Sequence, residues 1–381
     1  QAPAASVPHK LVLADMQPCL QQDNFHEIAS DHCFATPPSS SLVNEWSKLA
    51  QKVGAPPQQQ PGWTWAWWNA FGTGALEIHT IRDNGRLTGV LPMIRQGGTL
   101  KAAANIHTPG FGVLADNPRA AGKLAQALFS SEPRRISLID LEPGGETFRA
   151  FMHAAHEASY KVLLRPYQCS PYLEITETWE EYKGVLTAKK RFRNLRRKRL
   201  KLSREGNLSM EIVDGSIRLE ELLQEAYKVE ASSWKGPNGS AIISDPRTRN
   251  FYTGIARWAA DQGSFRLAFL RLNGRPVAMT YLLEQHGVCH LLKAGYDPDF
   301  GRFSPGTLLT HMIIEHCFAA GLDRVEFYGN GERYKFFWAN AAIERIRLEA
   351  FAPTTTGRLT EAAFVYARPV AVRIMSARRH F

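Results

Sequence analysis

Two Asn-Gly pairs, Asn84-Gly85 and Asn273-Gly274, each stand between two extended apolar runs. This is the strongest short signal for a β-hairpin, because both central residues of the tight turn need positive φ. The second pair joins Phe265–Leu272 to Pro276–Leu283, and a third strand, Val288–Tyr296, ends at Asp297-Pro298. A loop, Gly301-Arg-Phe-Ser-Pro-Gly306, then opens a helix that runs to about Ala320. Ser304 suits the N-cap, Pro305 the first helical position and Gly321 the C′ stop. Leu309, Met312, Ile313, Cys317 and Ala320 recur at helical spacing and are expected to face a sheet. A last strand, Arg324–Tyr328, leads into Gly329-Asn-Gly-Glu-Arg-Tyr-Lys-Phe-Phe-Trp338.

The first half of the chain repeats this order. Strands are expected at Leu76–Arg82 and Leu87–Ile94, a loop at Thr108–Gly112, a helix from Pro118 to about Ser130, and a strand at Arg135–Ile139. The shift between the Asn-Gly turns is 273 − 84 = 189 residues. The same shift carries Arg134–Ile139 onto Asp323–Tyr328, and Pro118 onto position 307. Three elements agreeing in order and spacing point to a duplicated unit. The expected division is 1–175 and 176–381.

Antiparallel strands, a loop opening a helix, then a parallel strand resemble the acyl-CoA-binding core of the GNAT N-acyltransferases. The stretches Leu-Asn-Gly-Arg-Pro-Val-Ala278, Ala-Gly-Tyr-Asp-Pro298, Phe-Ser-Pro-Gly-Thr-Leu-Leu309 and Tyr-Gly-Asn-Gly-Glu-Arg-Tyr-Lys-Phe-Phe-Trp338 resemble the CelD-like (cellulose-biosynthesis acetyltransferase) branch, related to FemABX. The resemblance runs over about 180–340. It implies an α/β fold of tandem GNAT-like domains, each a mixed, largely antiparallel sheet flanked by helices. The first copy carries Leu141-Glu-Pro-Gly-Gly145 where the second has its Tyr-Gly-Asn-Gly-Glu-Arg-Tyr-Lys run. Chemistry is therefore expected in the second copy, with acceptor shaping left to the first. Acyl-CoA is the implied donor.

A formal net charge of +10 and a pI of about 9.4 favour an anionic partner. Much of that charge sits between the halves. The helix expected over 188–205 carries ten Lys and Arg in Lys189–Arg204, with Phe192, Leu195, Arg199 and Leu202 on one stripe. Like charges at i,i+4 repel, so an anionic partner would relieve this helix. Acidic lipid headgroups, substrate phosphates and tRNA all qualify. Cysteines 19, 33, 169, 289 and 317 show no paired spacing and read as free thiols. His311 and His316 are five apart, which is not a zinc spacing, so no metal is expected. No run of 18 apolar residues exists to span a membrane, and residues 1–6 lack a signal peptide's charged and apolar regions. The expected location is cytoplasmic, at the inner face of the membrane.

Trp63, Trp65, Trp67 and Trp68 are expected in core packing. Further helices are expected over Leu42–Val53, Glu220–Trp234, from Asp245-Pro246, and over Arg358–Arg379. The last could lie on a membrane or dock on the protein.

Acyl transfer from a thioester to an amine needs a base for the amine proton, a donor for the tetrahedral oxyanion and an acid for the leaving thiolate. Glu326 and Glu332 are the candidate carboxylates, and Tyr328 and Tyr334 the candidate acids. Lys335 is the candidate oxyanion or phosphate contact. A helix N-terminus holds a pyrophosphate through its free N–H groups and dipole, so Arg302, Phe303, Ser304, Gly306 and Thr307 are the expected donor contacts. Lys293, Tyr296, Trp234, Lys235 and Arg191 are the expected substrate contacts. Lys293 stands in an apolar strand and needs a partner if buried. The expected function is acyl-CoA-dependent N-acylation of a membrane-associated amine, a long-chain amino lipid or an amino sugar of an envelope precursor. Two alternatives are an aminoacyl-tRNA-dependent transferase of the FemABX kind and a non-catalytic GNAT-like binding module.

Overall fold

A computed structural model describes residues 28–31, 39–233, 235–329 and 331–367. Trp234, Asn330, Cys19, Cys33 and the 368–379 part of the expected closing helix lie outside them. The first copy comprises β1 (Ile28–Asp31), α1 (Ser40–Lys52), α2 (Pro61–Phe71), β2 (Ala75–Asp83), β3 (Arg86–Gln96), β4 (Thr99–Ala102) and β5 (Leu114–Ala115). It continues through α3 (Pro118–Ser130), β6 (Arg135–Leu141), α4 (Glu146–Glu157) and β7 (Lys161–Glu174). The second comprises α5 (Trp179–Ala188), α6 (Lys190–Leu202), β8 (Leu208–Val213), α7 (Leu219–Ser232), α8 (Pro246–Asp261), β9 (Phe265–Leu272), β10 (Arg275–Gln285) and β11 (Val288–Tyr296). It ends with α9 (Pro305–Ala319), β12 (Arg324–Glu326), β13 (Ala341–Phe351) and α10 (Thr355–Ala362).

The 189-residue shift is visible in three dimensions. β3 maps onto β10 at both ends, since 275 − 86 and 285 − 96 both equal 189. Asn84 and Gly85 have φ of 50° and 77°, and Asn273 and Gly274 have 51° and 79°. Both turns thus adopt the left-handed geometry that lets two-residue loops follow the strand twist. In each copy three antiparallel strands are followed by a helix and a strand parallel to the third: β4 with β6, and β11 with β12.

The copies are not side by side; they exchange strands. Among the described residues thirteen strands form one mixed sheet, in the order β1-β2-β3-β4-β6-β13-β7-β12-β11-β10-β9-β8, with β5 on β3. The last strand of the first copy, β7, pairs with β12 of the second, Leu173 opposite Val325. The last strand of the second, β13, pairs with β6 of the first, Leu348 opposite Leu138. β7 and β13 pair with each other at the centre. The cores follow. Leu348 and Ala350 pack with α3, α4 and β6, whereas Leu173 packs with α5, α6 and α9. A shared core holds α1 and α2 against α7 and α8. The tryptophan run lies on α2, where Trp63 and Trp67 are buried in that core, as expected.

Two local expectations change. The strand expected to reach Tyr328 stops at Glu326, because Tyr328 and Gly329 take φ of 50° and 79° and turn the chain away. α9 is apolar on more than one side: Leu308 and Ile314 are buried besides Leu309, Ile313 and Cys317, while Ala320 is exposed. α5 and α6 cover the side that the sheet does not. On α6, Phe192, Leu195 and Leu202 are buried and Arg199 faces out. α10 and one π-helical turn, Ala363–Ala367, begin the expected closing helix.

Candidate active site

β11 and β12 pair only from Val288↔Arg324 to His290↔Glu326. Beyond that β11 continues to Tyr296 while β12 has ended, so the sheet opens between Leu291 and Phe327. A bulge helps: Tyr281 pairs with Lys293 and Leu282 with Leu291, leaving Leu292 as the extra residue. Bulges of this kind bend a strand and re-aim its side chains. The opening forms a cleft of about 590 Å³ lined by β11 from Leu291 to Tyr296, by Gly306, Thr307 and Thr310 of α9, and by Phe327, Glu332, Tyr334, Lys335 and Trp338. Lys235 and Ser233 close it from the loop after α7.

A second cavity of about 700 Å³ lies between α6 and the start of α9, and Thr307 lines both. Its walls carry Arg191, Arg197, Lys198, Lys201, Arg204 and Arg302, with Glu205 the one carboxylate among its lining residues. Ser304 does not cap α9. It sits at φ 54°, its side chain makes no capping bond, and Lys198 Nζ donates to its hydroxyl at 2.7 Å. The Ser304 side chain therefore leaves the α9 N-terminus uncapped, and that terminus, with its free amide groups and dipole, borders a cation-rich cavity.

In the cleft one cation, Lys235, is held by a buried carboxylate. Glu230 of α7 is fully buried, pairs with Lys235 at 3.1 Å and accepts from the Ile242 amide at 2.8 Å. Lys235 also donates to the Ala294 carbonyl at 2.6 Å. α7 comes this close because residue 295 is glycine; a Cβ there would stand 2.5 Å from Glu230 Cα. Lys293 lies over the Tyr252 ring, 5.4 Å from its centroid, and makes no salt bridge among the described residues. Burial, then the charge on Lys235, hold its ammonium down at about 8. Lys335 donates to the Tyr328 carbonyl and to Glu332 Oε2, both at 2.9 Å. Burial lowers its pKa, with Glu332 opposing. The Tyr334 ring is half exposed, yet desolvation at its hydroxyl, then the Glu332 charge, push the phenol up to about 12. From the first copy, His107 comes within 3.4 Å of the Tyr252 hydroxyl and 3.5 Å of the Thr248 hydroxyl. Burial, then Lys293, depress it to about 4, so the ring is neutral.

The expected site residues thus fall into three places. Glu332, Tyr334, Lys335, Lys293, Tyr296, Lys235, Gly306 and Thr307 meet in the cleft. Arg302, Phe303, Ser304 and Arg191 line the basic cavity, which Thr307 joins to it. Glu326 and Tyr328 lie elsewhere. Val325 and Phe327 turn toward α9, so the alternation of the chain sends Glu326 and Tyr328 to the other side, into a cavity at the seam of the two copies. Glu230, His107, Lys198, Thr310 and Trp338 were not among the expected site residues. Lys198 had a signal in its basic run; Glu230 looked like any carboxylate on an amphipathic helix.

Residues 189–336 match the family model for the acetyltransferase (GNAT) domain. That span holds α6, the basic cavity, α9 and most of the cleft. Solved structures similar over more than four fifths of the chain share its mixed α/β fold. FemX is similar at TM-score 0.57 and 11% identity, over 81% of this chain and 96% of that one. The C-terminal domain (DUF2156) of a putative lysylphosphatidylglycerol synthetase from Agrobacterium fabrum is similar at 0.52 and 13%, over 86% and 96%. L-PGS from Bacillus licheniformis is similar at 0.51 and 11%, over 85% and 95%. No curated protein matches the chain in sequence. Among the described residues no group of His, Cys, Asp and Glu is placed to hold a metal, and no helix is long and apolar enough to cross a membrane.

Proposed function

We propose that this chain is an acyl-CoA-dependent N-acyltransferase that acylates the amine of a membrane-associated lipid or envelope amino sugar, with its chemistry in the second copy. One observation carries the reading. The sheet parts between β11 and β12 beside an uncapped helix N-terminus that faces a cation-lined cavity. A pyrophosphate fits the α9 N-terminus with Lys198 and Arg302 as counter-ions. The thioester arm then passes Thr307 into the cleft, where Leu291, Phe327 and Trp338 supply apolar wall.

Within the cleft each step has a candidate group. Glu332 takes the proton of the attacking amine. Lys293, which makes no salt bridge among the described residues, stabilises the tetrahedral oxyanion. Tyr334, protonated at neutral pH, donates to the leaving thiolate. Lys335 ties Glu332 to the Tyr328 carbonyl and fixes the loop that carries Glu332 and Tyr334. The first copy shapes the acceptor side through His107, which reaches Tyr252 beneath Lys293. The likeness to the CelD-like branch supports this donor and acceptor class. The cationic surface of α6, with Arg193, Arg196, Arg197, Arg199 and Lys201 exposed and Leu200 63% exposed among them, supports contact with an anionic membrane.

That same surface favours one second reading, a transferase that takes aminoacyl-tRNA as donor. Titration with acetyl-CoA, palmitoyl-CoA and CoA, followed by tryptophan fluorescence, separates the two. Trp338 lines the cleft, so saturable quenching is expected. No response to any of them, together with steeply salt-dependent binding of tRNA, would move the assignment to the second reading.

A further inference from the structure

In a chain of net charge +10, one cavity runs against the trend. It measures about 530 Å³ and lies at the seam, walled by residues of both copies. Glu142 and Glu146 come from the first copy, Glu174 from β7, and Asp323 and Glu326 from the second. Arg324 and Arg345 are the cations among its lining residues, so carboxylates outnumber them. Both are already engaged. Arg324 pairs with Glu174 at 2.5 Å and with Glu326 Oε1 at 3.3 Å. Arg345 lies 3.6 Å from Glu142 and 3.9 Å from Asp140.

A second observation is independent of the charge count. Glu326 is 7% exposed, and among the described residues its Oε2 has no hydrogen-bond partner. Gln58 Oε1, another lining residue of this cavity, is also buried without one among the described residues. Both are acceptors. Buried polar atoms in native proteins are almost always satisfied, so two unmatched acceptors lining one cavity call for a donor from outside the chain. The unmatched donor nearby, Arg345 Nε, already faces Asp140. Tyr328 does not fill the gap, because its hydroxyl is 2.5 Å from His290 Nδ1. Desolvation raises the Glu326 pKa, against the charges of Arg324 and Arg345. A bound cation would reverse that cost.

We propose that the seam cavity binds a primary alkylammonium, with Glu326 as its counter-ion and Gln58 as a second acceptor, at a site separate from the thioester cleft. The ligand touches both copies at once, so its binding bridges them. The inference does not depend on the identity of the acyl donor.

Isothermal titration of the full chain tests it, with putrescine and with glucosamine as probes, at pH 8 and low salt. Saturable one-to-one binding of at least one amine is expected. Putrescine alone would mark a site for free polyamines, glucosamine alone one for amino sugars, and either supports the site. Glu326→Gln keeps the side-chain shape and should weaken binding at least tenfold. Glu142→Gln changes a half-exposed wall residue that carries no fold, and should weaken it several-fold; it decides the matter if Glu326→Gln does not fold. Arg302→Ala and saturating CoA, which touch the other cavity, should leave the affinity unchanged. Failure of both amines to bind overturns the proposal, as does binding indifferent to both glutamine variants or displaced by CoA.

Discussion

Lys198 Nζ donates to Ser304 Oγ at 2.7 Å, joining the basic helix α6 to the first turn of α9. A serine that would otherwise cap a helix is turned into a holder for a cation. The helix N-terminus stays open, and the cation stands beside it. Removing the ammonium should weaken binding of a CoA thioester. A hydrogen bond to a charged group contributes about 1.5–3 kcal/mol, so Lys198→Met should raise the Kd by roughly ten- to a hundredfold. Fluorescence titration measures this, and an unchanged Kd would detach α6 from the donor site.

Arg302 pairs with Glu205 at 3.4 Å and both are largely exposed, so that pair adds little to stability. Arg302→Ala should leave the melting temperature in place. It should also flatten the salt dependence of CoA binding, because one fewer cation meets the phosphates. Titrations at two salt concentrations check both halves of the expectation.

Tyr334→Phe and Lys335→Ala are expected to cut kcat by about 10²–10⁴ while leaving circular dichroism unchanged. Tyr334 is half exposed, so losing its hydroxyl leaves the core intact. If both variants keep full activity with a CoA thioester, the chemistry is not in the cleft.

The site was legible where backbone signals were local. Asn273-Gly274, Pro305 and Gly321 announce a hairpin and a helix from their own residues, and the 189-residue shift announces the copy. The exchange of β7 and β13 was not legible, because strand pairing across the seam is a long-range choice that leaves no local mark. The same blindness misplaced Glu326 among the cleft residues. Its strand was recognised, but which face it meets depends on Val325 and Phe327 packing under α9. Ser304 failed for a different reason: its capping role was displaced by Lys198, more than a hundred residues away.

Lys293 should titrate within an accessible range. Its pKa is about 8 in the folded chain and about 10.4 when unfolded, so between these values the unfolded chain binds more protons. Stability from this group therefore rises with pH through that window and is lowest below pH 8. Lys293→Met should raise the melting temperature at pH 7, with the gain shrinking toward pH 10. A gain that is equal at both values would mean that Lys293 is not desolvated.

The strand exchange makes a prediction about cooperativity. Leu348 is fully buried in the core of the first copy although it lies on the last strand of the second, and Leu173 holds the reciprocal place. Neither core is complete without a strand from the other copy, so the copies should not unfold separately. Leu348→Ala should cost about 2–5 kcal/mol, as large-to-small changes at filled sites do. Because Leu348 serves the first copy's core and the cleft belongs to the second, a loss confined to one unit would leave CoA binding untouched at intermediate urea. The exchange instead requires tryptophan fluorescence, far-UV circular dichroism and CoA binding to be lost at one urea midpoint, shifted together in Leu348→Ala and in Leu173→Ala. Two separated midpoints in either variant would show that the copies fold alone and that the β7–β13 pairing only joins them.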